Sequence, residues 1–129
     1  MKKSVGAALL VMGLTLTGCS SGTSATEKLG IEEFAEKITD TSITVLDVRT
    51  PMEFAQGHID RAVNIDFQGS NFEKEVLDLD KDAPIAVYCR SGNRSSQAVK
   101  VMEKLGFTNL YDMDGGVIDW AAASKPLFR

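Results

Sequence analysis

The stretch from Pro84 to Gly106 limits most strongly what this chain can become. Ile85 to Tyr88 is a short apolar run bounded by Pro84, which predicts a buried strand. From Ser95 to Leu105 the apolar residues Ala98, Val101, Met102 and Leu105 recur at helical spacing, with Lys100, Glu103 and Lys104 opposite. Gly106 stands where a helix C′ residue belongs. Between strand and helix lies Cys89-Arg90-Ser91-Gly92-Asn93-Arg94, a tight polar loop opened by a cysteine. Gly92 and Asn93 tolerate the left-handed backbone such a loop needs. Successive loop amides can converge into a nest for an anion, and the helix N-terminus adds partial positive charge at the same point. Arg90 and Arg94 add two full charges. These surroundings favour the thiolate, the nucleophilic form of cysteine.

Cys-Arg-Ser-Gly-Asn-Arg-Ser, residues 89–95, resembles the active-site loop of the rhodanese (sulfurtransferase) family. Two flanking segments agree. Leu46 to Phe54, followed by Gly57-His58-Ile59 and Ala62-Val63-Asn64-Ile65, looks like the family's N-terminal signature. Asp114-Gly115-Gly116-Val117-Ile118-Asp119-Trp120 looks like its C-terminal one. The resemblance runs from about Lys28 to Leu127, and three motifs in order are far more specific than the loop alone. It implies a single rhodanese-like α/β domain over residues 28–129, with a central, mostly parallel five-stranded sheet and helices on both faces. The alternation of strand and helix patterns leads to the same parallel sheet. In such sheets the ligand crevice lies at the carboxyl ends of the strands, where Cys89 is expected.

The resemblance also implies sulfur transfer in two half-reactions. Cys89 would attack the outer sulfur of a small anionic donor such as thiosulfate, carry the sulfur as a persulfide, and pass it to cyanide or a thiol. No further cofactor is implied. Arg90, Ser91, Gly92, Asn93, Arg94 and Ser95 would bind the substrate: their N–H groups stabilise sulfur anions, and the two arginines attract and orient the donor. Asp47 and Arg49, at the end of another strand, are candidates for the same rim.

A cysteine phosphatase or arsenate reductase would place five residues between Cys and Arg. Here Arg94 comes one residue early, and the sixth position after Cys89 is Ser95. The shorter loop makes a smaller ring of amides, suited to one sulfur atom rather than a tetrahedral oxyanion. A persulfide carrier or binding module with low turnover is the other alternative. Both readings of Cys89 as a sulfur site require an accessible thiol and inward-facing amides.

The chain's 129 residues leave room for one domain. Its net charge of −4 argues against nucleic acid as a partner and fits a monomer. The N-terminus is a separate matter. Lys2 and Lys3 precede an apolar run, Val5 to Leu16, which as a helix would span about 18 Å, short of a bilayer's roughly 30 Å core. That favours a signal segment over residues 1–18. Leu16-Thr17-Gly18-Cys19 resembles a bacterial lipoprotein cleavage box, in which Cys19 becomes the lipidated N-terminus. Residues 19–27 would then be a polar tether, holding the domain outside the cytoplasm on a cell-envelope membrane and facing the periplasm; Ser20 after Cys19 resembles the outer-membrane sorting pattern of enteric-type bacteria.

The remaining elements are weaker signals. An amphipathic helix is expected over Ile31 to Ile38, a strand over Ile43 to Val48, and a short helix capped by Thr50 and Glu53 with Pro51 at its first position. A strand over Ala62 to Asp66 and a helix over Asn71 to Leu79 follow. A last strand is expected over Asn109 to Met113, then a helix over Val117 to Ala123 with Trp120 in the core. His58, the single histidine, is expected to hold a turn by hydrogen bonding rather than act as a base. One histidine and one usable cysteine do not make a metal site.

Overall fold

A computed structural model of the chain describes residues 24–129. The expected signal segment and Cys19 lie outside the described residues, so the lipidation site has no structural account.

Five strands form one sheet in the order β1-β5-β4-β2-β3, with β1 at Thr26–Leu29, β2 at Thr44–Asp47, β3 at Val63–Asn64, β4 at Ile85–Tyr88 and β5 at Leu110–Met113. Every pairing is parallel. Parallel strands need crossovers, and four helices supply them: α1 Ile31–Lys37, α2 Pro51–Gln56, α3 Phe72–Val76 and α4 Asn93–Lys104; α5 Gly116–Ala122 follows the last strand. β4 is central and fully buried, as its unbroken Ile-Ala-Val-Tyr run predicts.

Two cores cover the two faces. On one, Phe72, Val76, Ala98, Val99 and Met102 from α3 and α4 pack on Leu46, Ile85, Val87 and Leu110. On the other, Phe34 of α1 and Trp120 of α5 pack on Val45, Ala86, Tyr88 and Met113. Phe34 meets both Tyr88 and Trp120 edge to face, with centroids 6.4 and 6.3 Å away. The Trp120 indole N–H is satisfied by the Pro126 carbonyl at 3.0 Å, so Trp120 is a core residue.

The fold begins earlier than the polar composition suggests. Thr26 already pairs with Leu110, and the hydroxyls of Ser24 and Thr26 donate to Glu103 on α4. The end of the expected tether is therefore an edge strand, held by backbone pairing and hydroxyl bonds while only Leu29 is buried. β3 and α3 are shorter than expected, two and five residues.

Candidate functional site

The carboxyl ends of β2, β4 and β5 meet at one edge of the sheet. β4 delivers Cys89 directly, and α4 starts four residues later at Asn93. Gly92 caps the helix with φ +99°, a left-handed backbone that a side chain would strain. The resulting turn aims the Gly92 N–H at Cys89 Sγ, 3.0 Å away. Ser95, fully buried, donates its hydroxyl to the Gly92 carbonyl at 3.3 Å and closes the turn from below. The strand end, the amide and the α4 N-terminus thus converge on one sulfur.

Two features depart from expectation. Among the described residues Gly92 alone supplies a loop amide bonded to the sulfur, where a ring of several was expected. Cys89 is also enclosed, with 0% of its surface exposed, packed into the core cluster on the α3 and α4 side of the sheet. Among the described residues the thiol has no disulfide partner. A reagent therefore needs a local opening of the structure to reach it.

The loop rests on the turn that follows β5. Val117 N–H donates to the Cys89 carbonyl at 3.0 Å, and Ile118 N–H to the Arg90 carbonyl at 3.1 Å. Gly115 and Gly116 start α5 in left-handed conformations, φ +84° and +60°. A Cβ on Gly116 would collide with the Arg90 carbonyl, so glycine there permits backbone contact with the cysteine loop, while a Cβ on Gly115 would meet the Asp119 side chain of α5 itself.

The arginines have distinct surroundings. Arg94 forms a two-pronged ion pair with Glu53 of α2, at 2.9 and 2.8 Å. Hydrogen bonding to Arg94 holds the Glu53 carboxyl below its usual range, and the same bond raises the Arg94 guanidinium. Thr50 caps α2 by accepting from the Glu53 N–H at 3.3 Å, as predicted. The Glu53 side chain is turned to Arg94 rather than to the cap backbone, and this link between α2 and α4 has no local sequence signal. Arg90 and Ser91 are exposed. Asn93 is exposed as well, its side-chain oxygen accepting from Gln97 at 2.9 Å.

Asp47 does not line a rim. It is fully buried and binds Arg49 through Nε and Nη2, the latter at 2.7 Å. Burial opposes the charge on Arg49, yet the Asp47 carboxylate beside it raises its pKa above the ordinary arginine value. Arg49 also donates to the Gly57 carbonyl at 2.7 Å and so fixes the end of α2. The expected rim pair is a structural anchor, of which Arg49 alone reaches the cavity wall. His58 stacks on Phe54 with centroids 3.9 Å apart, and its Nδ1 lies 3.1 Å from the Phe54 carbonyl. It pairs by backbone with Phe128, so its role is to hold the turn, as expected.

Beside the loop opens a cavity of about 230 Å³, lined by the polar Arg49, Glu53, Gln56 and Arg90, by Gly57, and by the apolar Val117, Ile118 and Leu127; Cys89 itself is not in its wall. Larger depressions occur elsewhere, at α1, at α3 and between β1 and α4, but none is lined by residues 89–94.

Comparison with known proteins places this geometry. A profile of the Rhodanese-like domain matches residues 30–123. A protein named sulfurtransferase from Allochromatium vinosum is 32% identical over 97 residues, covering 74% of this chain and 89% of the relative. A thiosulfate sulfurtransferase, GlpE, from Ectopseudomonas mendocina is 33% identical, covering 68% of this chain and 79% of the relative. The crystal structure of a rhodanese-related protein from Thermoplasma volcanium superposes with a TM-score of 0.70 at 32% identity, covering 79% of this chain and 97% of that one.

Proposed function

The chain belongs to the family of rhodanese-like domains, and from that premise we propose that it is a sulfurtransferase carrying sulfur as a persulfide on Cys89. One observation carries the reading: a single thiol at the end of the central strand, with the Gly92 N–H aimed at its sulfur from 3.0 Å. An N–H in that position stabilises a sulfur anion both before and after the transferred sulfur is added. The thiolate attacks the outer sulfur of thiosulfate; the new S–S bond forms as the old one breaks, and the bonding pair leaves with sulfite. Attack by cyanide or a thiol on the outer persulfide sulfur restores the thiolate, so the two substrates act in turn.

The engagement of Arg94 by Glu53 speaks against phosphate ester or arsenate chemistry, because the guanidinium that such a reaction needs is already paired. The enclosure of Cys89 restricts donor and acceptor alike, and it is compatible with a second reading, a persulfide carrier or binding module with low turnover. Export and lipidation at Cys19 remain part of the proposal on the sequence pattern alone.

Incubation with thiosulfate followed by intact mass and peptide mapping tests the main reading. One sulfur mass on Cys89 is expected, and Cys89→Ser abolishes both the added mass and cyanide-dependent thiocyanate release. Sulfur release by a folded Cys89→Ser protein refutes the assignment. Fast loading with slow release to every acceptor marks the carrier.

A further inference from the structure

Asp112 is a buried carboxyl that the sulfur-transfer steps leave unused. It stands on β5, 1% exposed, and its Oδ1 has no hydrogen-bond partner among the described residues. A buried acceptor left without a donor is costly. A donor is nevertheless at hand: the Ser95 hydroxyl stands within reach of the Asp112 carboxyl, where donating to it favours the charged form. A serine hydroxyl has one proton to give, and Ser95 gives it to the Gly92 carbonyl at 3.3 Å. Gly92 is the residue whose N–H points at Cys89 Sγ. Asp112 and the cysteine turn therefore share a single donor.

We propose that Asp112 is a positioning residue for the cysteine turn, acting through Ser95: as a carboxylate it draws the Ser95 proton away from the Gly92 carbonyl and loosens the turn, and as a carboxylic acid it leaves the turn closed. The inference rests on the reading of Cys89 as the sulfur carrier and adds a control on its access. A hydrogen bond to a charged acceptor is about twice as strong as one to a neutral carbonyl, so the ionised carboxyl wins the proton. In the acid form both acceptors are served, because Asp112 donates to Ser95 Oγ and Ser95 donates to the Gly92 carbonyl. The surrounding groups set the balance. Lys28 of β1, 3.9 Å from Oδ2 and half exposed, favours the charge, while burial and Asp114, just past β5, oppose it. From α4, Lys100 and Glu103 line with Asp112 a cavity of about 310 Å³, and Glu103 is already engaged by the Ser24 and Thr26 hydroxyls. β4 pairs with Asp112 at the apolar Val87 and brings no charge. Cys89 is not in the wall of that cavity, so solvent protons reach Asp112 by a route separate from the thiol.

The test follows the reaction of Cys89 in the full chain with dithiodipyridine, a thiol reagent that works into acid, from about pH 4, the ordinary aspartate range, to about pH 8. Peptide mapping separates Cys89 from Cys19. At each pH the variant rate is divided by the wild-type rate, which removes the ionisation of the thiol itself. Asp112→Asn offers Ser95 an amide N–H at every pH and so keeps the turn closed. It should react like the wild type in acid and several-fold more slowly at neutral pH. Ser95→Ala frees the turn at every pH, so it should react several-fold faster than the wild type in acid and about equally at neutral pH. Asp112→Asn added to Ser95→Ala should have no further effect, since the route between them is gone. A flat Asp112→Asn ratio across pH overturns the proposal. So does a slowing by Asp112→Asn that persists in the Ser95→Ala background, the pattern of a general gain in fold stability. The reagent does not require sulfur transfer, so a chain that follows these ratios yet takes no sulfur from thiosulfate refutes the sulfurtransferase reading and leaves the coupling standing.

Discussion

Gly116 packs its backbone against the carbonyl of Arg90 so closely that a Cβ there would overlap it and stand 2.6 Å from the Ser91 nitrogen. The obstacle is backbone on both sides, so no flexible side chain can yield. Its φ of +60° adds the cost of a left-handed conformation for any residue but glycine. Gly116→Ala should lower stability by about 1–3 kcal/mol by these two effects. It should also move the loop that holds Cys89, so sulfur loading falls further than the melting temperature alone accounts for. Unchanged loading kinetics in the variant would show that the loop and the Gly-Gly turn are mechanically independent.

The Glu53–Arg94 pair links α2 to the first turn of α4 across the mouth of the site. Both side chains are partly exposed, at 27% and 17%, so the pair's contribution to global stability is modest, about 1 kcal/mol or less. Its effect on the loop should be larger than its effect on the fold. Because Cys89 is fully enclosed, alkylation needs local opening, and breaking the latch should speed it. Arg94→Gln is expected to raise the iodoacetamide rate at Cys89 several-fold while the urea midpoint barely moves, with peptide mapping to separate Cys89 from Cys19. Equal rates in both proteins would mean that the thiol is sealed by the core rather than by the latch.

Asp47 and Arg49 should behave in the opposite way. They are buried, bonded through two prongs, and far more costly to separate. Asp47→Asn leaves a guanidinium charge in the interior without its counter-charge, a change that costs about 3–5 kcal/mol. The expected result is a large drop in the urea midpoint with an unchanged slope, since the surface exposed on unfolding is the same. A small drop would show that Arg49 finds solvent by swinging out through the cavity it lines.

The signals that could be read in the chain were local ones. The apolar run of β4, the left-handed Gly92, the Thr50 cap and the helical spacing of α4 each show in a few consecutive residues, and each is where it was expected. What could not be read was set by contacts across the fold. Glu53 looked like a capping-box acid because Arg94 is 41 residues away. Asp47 looked like a rim residue because strand-end position says nothing of burial, and of that pair Arg49 alone lines the cavity. The first half of β1, Thr26 and Glu27, looked like tether because an edge strand paired by its backbone needs few apolar side chains, and Thr-Glu-Lys-Leu offers one. Arg94 looked like a donor-binding charge, and only its partner shows that the charge is already taken.

Asp112 on β5 offers the sharpest separation of two electrostatic effects. It is almost fully buried, one carboxyl oxygen has no partner among the described residues, and Lys28 stands 3.9 Å from the other with half its surface in solvent. Burial raises its pKa, and Ser95 and Lys28 only partly offset this. The folded chain therefore holds the Asp112 proton more tightly than the unfolded chain does. Asp112 then costs no stability below the ordinary aspartate range near pH 3.9, and the penalty grows as pH rises through the folded pKa. Asp112→Asn should stabilise the domain at pH 7, by roughly 1–3 kcal/mol if the lone oxygen carries the full desolvation cost, and the gain should vanish in acid. Glu53 has the opposite sign, because Arg94 lowers its pKa: its contribution is present above the ordinary glutamate range and is lost as pH falls through the lowered value. Melting curves of Asp112→Asn and Glu53→Gln across pH 3 to 8 should therefore separate at neutral pH, one above the parent and one below, and converge in acid. A destabilised Asp112→Asn at pH 7 would mean that the Lys28 and Ser95 contacts outweigh burial, against the direction given by the buried, unpartnered oxygen.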